Sequence, residues 1–387
     1  MSVSYGGSSI TFEDGSIVSS GSAGFKNKII NGAMMIDQRN GGASVTPTSN
    51  VFGPDRWTPQ LSQSSKFSYR QMDSANSAVS NYESGSAPTG FTNSLKITSS
   101  SAYTPVTGDY MLIRQHIEGY NIADLDWGLA TAKTVTVSFW VKSSLTGSHS
   151  FSVYNHDGSR SYPVLYTINV SNTWEYKTIV IPGDTSGTWK RDSSIGISIA
   201  FSIGSGATYS GTSGVWAGSW YPAATGAVPL IGTSGATLYI TGVQFEKGTT
   251  ASSFEFRSYT KELMLCQRYY FQINCGGNGS QYYAIQGQVS GGNYAMWKIN
   301  CPTPLRVAPS ISISPAYNAG SGWQINITGL NNYAFTGNPS NGGYDGNTNL
   351  ALNIPLSGVS SSYFCLTCIP YTPTGASANY IYFSSEF

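Results

Sequence analysis

Acids, histidines and cysteines could do covalent or metal chemistry, and here they are sparse. Glycan hydrolysis calls for two carboxylates about 5 to 9 Å apart, one protonated and one ionised. The chain has 19 acidic residues in 387, and they are scattered. Asp124 and Asp126 flank Leu125 ahead of Trp127. Their i, i+2 spacing would set both on one strand face, but the segment reads as a solvated turn. A nucleophilic triad needs a base, and the histidines are His116, His149 and His156, with no Gly-x-Ser-x-Gly elbow beside them. His156 lies in Tyr154-Asn155-His156-Asp157-Gly158, where Asp-Gly marks a turn between strands, which makes it a loop histidine open to a binding role. Cys365 and Cys368 form Cys-x-x-Cys inside a strand-like run. At i and i+3 of a strand the sulfurs point to opposite faces, and no second pair at finger spacing completes a zinc site. A glycine-rich phosphate loop is also missing. These residues predict no enzyme, no metal and no cofactor.

Aromatic rings set among Gly, Ser and Asn are plentiful instead. Trp216, Trp220 and Tyr221 fall in Gly214-Val-Trp-Ala-Gly-Ser-Trp-Tyr-Pro222, between turn residues. Flat rings flanked by amides and hydroxyls suit a sugar- or protein-binding surface; the same tryptophans could equally plug the edge of a core. Tyr154 and His156 join them as candidate contacts, and later in the chain so do Tyr282, Tyr283, Trp297, Tyr333 and Tyr344.

Strands must position these rings. Charged residues make up 10% of the chain, hydrophobic residues 40% and aromatic residues 13%, with 44 Gly and 26 Tyr, which favours an all-β fold over charged surface helices. Residues 134–142 alternate Val135, Val137, Phe139 and Val141 with Thr136, Ser138 and Trp140. Residues 195–203 alternate isoleucine and phenylalanine with Gly, Ser and Ala, giving one apolar face and one of small residues. With strands at 174–181 and 238–245, the pattern predicts a jelly-roll β-sandwich over 25–258. A short linking helix is expected at 260–270, from Leu263, Met264, Gln267 and Tyr270. Alternation at Ile311 and Ile313, Trp323 to Ile327, Phe364 and Leu366, and 380–383 predicts a smaller β-sandwich over 259–387.

Residues 1–24 read as an extended arm, with one apolar patch at Ile10, Thr11 and Phe12 among Ser and Gly. A net charge of +1 provides no basic field for nucleic acid or anionic lipid. Without a signal-like start or a membrane-length apolar run, the chain is expected to stay in water without export or membrane insertion. The five cysteines, an odd number, are expected to be reduced and buried.

Three stretches carry a family resemblance. Phe25-Lys-Asn-Lys-Ile-Ile-Asn-Gly-Ala-Met-Met-Ile-Asp-Gln-Arg-Asn-Gly-Gly42 with Asp55-Arg56-Trp57 is similar to the opening of a group of bacteriophage tail-fibre and virion-surface proteins. So is Leu238-Tyr-Ile-Thr-Gly-Val-Gln-Phe-Glu-Lys-Gly248 with Phe254-Glu-Phe-Arg-Ser-Tyr259, followed by Glu262-Leu-Met-Leu-Cys-Gln-Arg-Tyr-Tyr270. In that group the first domain resembles the jelly roll of carbohydrate-binding modules. The resemblance implies a tail fibre in the virion, attached to other virion proteins through its N-terminus, with Ile10, Phe12, Phe25, Ile29 and Ile30 as candidate attachment residues. It implies homotrimers and recognition of a host cell-surface glycan or protein by distal parts. A capsid decoration protein and a polysaccharide-degrading tailspike are the alternative readings.

Overall fold

The computed structural model describes residues 25–274, 285–290, 294–314, 324–327, 332–334, 336–346, 348–355, 364–371 and 380–387, and three short strands ahead of them. The chain divides into two compact units, Met1–Arg257 and Ser258–Phe387. Within the segment expected as an arm, strands β1 (Ser4–Gly6), β2 (Ser9–Thr11) and β3 (Ile17–Ser19) pair antiparallel in that order.

The first unit is a jelly-roll sandwich of two five-stranded antiparallel sheets. Its strands are β4 (Thr58–Leu61), β5 (Phe67–Asp73), β6 (Asn93–Ser99), β7 (Tyr110–Glu118), β8 (Val135–Ser143), β9 (Gly147–Tyr154), β10 (Ser161–Ile168), β11 (Glu175–Ile181), β12 (Ile195–Ser205), two-residue β13 (Ser210–Gly211) and β14 (Ala223–Ala224), and β15 (Thr237–Lys247). The first sheet has the order β10-β9-β12-β7-β4 and the second β11-β8-β15-β6-β5. The strands expected at 134–142, 174–181, 195–203 and 238–245 are β8, β11, β12 and β15. Alternate residues fill one core: Val135, Val137, Phe139 and Val141 from one sheet meet Phe151, Val153, Ile197, Ile199 and Phe201 from the other, all fully buried. The Phe139 ring lies 5.0 Å from Phe201 and 6.1 Å from Phe151, within the range of favourable aromatic pairs.

The stretch 25–57 explains why two of the expected attachment residues are not at a surface. Ile29 is fully buried and Ile30 is 4% exposed. Ile30 exchanges two hydrogen bonds with the Gln115 amide on β7, at 2.9 and 2.8 Å. Asn27 and Asn31 act as buried clips in place of a regular ladder. The Asn27 amide donates to Val243 O and its oxygen accepts from Ile29 N and Phe245 N; Asn31 bonds Ile36 and Asp55 O, while its own carbonyl accepts Trp57 Nε1. Arg257 donates to the carbonyls of Asn27 and Ile29 and covers the Phe25 ring at 4.1 Å. Phe25, Ile29 and Ile30 thus belong to the sandwich, because the buried amides leave the segment no freedom to project. Ile10 lies on β2 with its side chain outside the described residues, as Phe12 is entirely.

The second unit opens with α1 (Tyr259–Gln267), capped by the Ser258 hydroxyl, which accepts from Lys261 N. The helix ends before Tyr270, where expectation had extended it, because that residue starts a strand. The strands are β16 (Tyr270–Asn274), β17 (Ile285–Ser290), β18 (Tyr294–Asn300), β19 (Ser310–Ser314), β20 (Gln324–Ile327), β21 (Asn332–Ala334), β22 (Ser340–Tyr344), β23 (Asn349–Pro355), β24 (Phe364–Tyr371) and β25 (Tyr380–Ser384). They form a three-stranded sheet, β16-β25-β19, and a seven-stranded one, β21-β20-β24-β17-β18-β23-β22, so this unit is also a β-sandwich. Phe271 stacks on Phe383 at 4.5 Å, and Leu350, Leu352 and Ile354 are buried. Cys266 and Cys301 are buried, with burial, then the Asp345 charge, pushing the Cys301 thiol up to about 11. Among the described residues no helix is long and apolar enough to cross a membrane.

Candidate functional site

The face of the β10-β9-β12-β7-β4 sheet that turns away from the core carries the site. Strand alternation sends Phe151, Ile199, Phe201 and Ile113 inward and Ser150, Ser152, Tyr154, Ser198, Ala200, Ser202, Leu112 and Arg114 to the opposite side. Between β12 and β15 the chain leaves the sheet and folds back over this small-residue face. Serine hydroxyls hold it there. Ser152 Oγ donates to Tyr221 O at 2.8 Å, Ser161 Oγ donates to Ser219 O at 2.6 Å, and Ser150 Oγ accepts from Ala224 N at 2.7 Å. Main-chain bonds join Ser161 to Ala217 in both directions, at 3.1 and 2.8 Å. Larger side chains on β9 and β12 would hold the excursion off, which is why the apolar face has a partner face of Ser, Ala and Gly.

Trp220 is the centre of what the excursion delivers. It packs with Leu112, Tyr154 and Ala200, and meets Tyr110 at 5.0 Å, Tyr209 at 5.2 Å and Tyr154 at 5.9 Å, all edge to face. The hairpin between β9 and β10, which carries His156, closes on it: a Cβ at Gly158 would stand 2.9 Å from Trp220 Cβ. Tyr154 is 4% exposed, and burial pushes its phenol up against the pull of the Arg114 guanidinium. Its hydroxyl lies against Arg114, Ser198 and Trp220, and it, Arg114 Nε and His156 Nδ1 are sealed from solvent. Further along the same face a polar cleft of about 240 Å³ opens between Ser202, Gly204, Ser210, Ala223 and Thr225.

The rings that are neighbours in sequence part company here. Trp216 turns to the edge of the core, 5.4 Å from Trp127, 5.7 Å from Trp189 and 5.1 Å from Tyr162, with Nε1 donating to Pro182 O at 2.9 Å. Tyr221 packs over Gly211, where a Cβ would come 2.5 Å from its ring. Trp220, Tyr154 and the His156 hairpin are brought together; Trp216 is not among them. In the second unit Trp297 is 1% exposed, facing inward on β18 opposite Leu352, and so is not a surface contact. Tyr333 and Tyr344 fall on β21 and β22 with side chains outside the described residues, and Tyr282 and Tyr283 lie outside them altogether. Arg114, Tyr110 and Tyr209 escaped the sequence reading. The signal for Arg114 was its place in 110–118, as a cation at an alternate position opposite Met111 and Ile113.

The other sheet also bears rings on its outer face, but the charged groups beside them are paired. Lys142 lies 4.2 Å over Tyr239 and donates to Gly85 O at 2.7 Å, as does Trp174 Nε1 at 3.1 Å. Tyr239 and Lys96 both donate to Glu83. That network closes on itself and asks for no ligand.

Asp124 pairs with Lys28 at 2.8 Å and lies 3.8 Å from Lys247, and Asp126 accepts from Thr131 at the end of a short 3-10 turn. His116 Nδ1 lies 2.7 Å from Ser198 Oγ. His149 is buried beside Leu145 O, and burial lowers its pKa. Cys365 and Cys368 lie on β24, their side chains outside the described residues. Among the described residues no group of three or more His, Cys, Asp or Glu side chains converges.

The fold and this face define a β-sandwich with an aromatic, hydroxyl-rich surface on one sheet. No protein-family model and no curated protein matches the chain. Among solved structures it is similar to the enzymatically active domain of tailspike protein 4 of bacteriophage CBA120, at 13% identity and a TM-score of 0.30 over 57% of this chain and 21% of that one. It is similar to TmCBM61 in complex with β-1,4-galactotriose, at 10% identity and a TM-score of 0.28 over 58% and 100%. A third is the family 11 carbohydrate-binding module of the cellulosomal cellulase Lic26A-Cel5E of Clostridium thermocellum, at 15% and 0.25 over 55% and 98%. The chain spans about a fifth of the tailspike structure's length. At these scores the likeness bears on neither ligand nor activity.

Proposed function

We propose that this protein is a non-enzymatic glycan-binding component of a bacteriophage virion, a tail fibre joined to other virion proteins through its N-terminal residues and working as a homo-oligomer. The observation that carries the binding part is the half-buried Trp220 ring held among Tyr110, Tyr209 and Tyr154 on a serine-rich sheet face. A pyranose offers apolar C–H faces to such rings and hydroxyls to the polar side chains beside them, and symmetry multiplies weak contacts into avidity. Support for the virion part is the resemblance of 25–42, 238–259 and 262–270 to tail-fibre proteins. The test is a glycan array probed with the whole chain and with Trp220→Ala. Retention by host-surface polysaccharide, lost in the variant, is the expected result. Equal retention of both proteins would remove this face from the function, and release of shortened chains would mean the protein is an enzyme. Gold-labelled antibody on intact particles should mark the tail; labelling of shell faces would make it a decoration protein.

A further inference from the structure

We infer that the ligand of the Trp220 face carries a carboxylate and that Arg114 receives it, an inference that rests on the glycan-binding reading above and names the class of sugar. The argument is one of charge and of donors against acceptors. Elsewhere in this unit Arg160 and Arg257 meet carboxylates: Arg160 forks onto Asp184 at 2.7 and 2.8 Å, and Arg257 Nε lies 3.2 Å from Glu255. Arg114 is half-buried, and its hydrogen bond goes to the amide oxygen of Gln60, a neutral acceptor. Its Nε is closed off from solvent, and the group beside the guanidinium is the neutral Tyr154 hydroxyl. Taking a guanidinium partly out of water without a counter-charge is costly, and one carboxylate with two oxygens matches its fork.

The neighbours add donors rather than charge balance. The Tyr154 hydroxyl stands beside the guanidinium, and Arg114 pairs in register with Ala200, in the cluster on which Trp220 packs. The nearby carboxylates are engaged elsewhere or buried: Asp157 accepts from Ser159 N and Oγ at 3.0 and 2.7 Å within its own turn, and lies 3.9 Å from His156. Glu118, four residues along β7, is 1% exposed. A uronic or similarly acidic sugar would place its ring against Trp220 and its carboxylate on Arg114; a neutral sugar leaves the cation uncompensated.

The experiment uses matched pairs that differ in charge alone. Alginate, polygalacturonate and hyaluronan hexasaccharides, each beside its methyl ester, and a panel of neutral oligosaccharides are titrated calorimetrically into the full chain, Arg114→Gln and Arg114→Lys. At least one free acid should bind about tenfold or more tighter than its ester. Arg114→Gln should shrink that ratio below about threefold while leaving ester affinity in place, and 0.5 M salt should weaken the acid alone. Arg114→Lys, keeping charge without the fork, should fall between and decides the matter if the Gln variant unfolds. Esters or neutral sugars binding as tightly as acids would overturn the carboxylate while the glycan reading stands. If no member of either panel binds, the glycan reading falls and the inference with it.

Discussion

Replacing Trp216 and Trp220 by alanine, one at a time, should have opposite consequences although the two are four residues apart. A tryptophan buries about 150 to 250 Å², and about 150 Å² at ~25 cal/mol/Å² amounts to roughly 4 kcal/mol. Trp216 keeps one edge in solvent, but it also touches Trp127, Trp189 and Tyr162 and bonds Pro182 O. Trp216→Ala should therefore cost about 3 kcal/mol, within the usual range of such truncations. At roughly 2 to 4 °C per kcal/mol for a unit of this size, its melting transition should fall by about 6 to 12 °C. Glycan affinity measured well below that transition should be unchanged. Trp220 packs on Leu112, Tyr154 and Ala200 and on Tyr110 and Tyr209, which are themselves partly exposed, unlike the buried rings around Trp216, so Trp220→Ala should cost about 1 to 2 kcal/mol and reduce affinity at least about tenfold. The assay is scanning calorimetry paired with titration of the same preparations. Loss of affinity in Trp216→Ala at an unchanged melting temperature would show that the assignments are reversed and that the core-edge reasoning is wrong.

Gly158→Ala sets a Cβ 2.9 Å from Trp220 Cβ at a φ of +70°; denaturant titration should show a loss of about 1 to 2 kcal/mol, and glycan binding should weaken as the indole shifts. Gly32→Ala would bring a Cβ within 2.2 Å of Val243 O, main chain against main chain, and should cost about 3 kcal/mol of first-unit stability by the same measurement. Burial pushes the Glu175 carboxyl up, but bonds from Lys177, Val170 N and Asn169 outweigh it and hold it at about 2, below the usual 4.5. A lowered acid pKa contributes stability that is complete above 4.5 and lost as pH falls toward 2. Melting temperature should thus fall less between pH 5 and pH 2 in Glu175→Gln than in the parent, and parallel curves would refute that role.

The sandwich was legible because its physics is local. Valine and phenylalanine alternating with threonine and serine at 134–142, and isoleucine with glycine, serine and alanine at 195–203, dictate which face is buried whatever the strands pair with. The site was only half legible. Trp220, Tyr154 and His156 were named, yet their meeting depends on an excursion returning over β9 and β12, a long-range event with no periodicity of its own. Arg114 looked like one cation among 20 basic residues until the strand order set it beside Tyr154. Ile29 and Ile30 misled for a related reason. An apolar pair after a Gly- and Ser-rich stretch looks like a sticky end, and only the Gln115 amide on β7, with the Asn27 and Asn31 clips, makes it core. Trp297 misled likewise, since a Gly/Asn-rich context does not reveal the inward phase of β18.

The anchorage of the excursion has a consequence for how such a surface can diversify. Ser152 and Ser161 reach main-chain carbonyls and Ser150 a main-chain N–H, groups that every residue except proline supplies alike. The scaffold therefore grips the segment without reading its side chains. Exchanging most of the rings and hydroxyls it displays would leave the mooring in place, so new ligand preferences can be tried at little risk to the underlying fold.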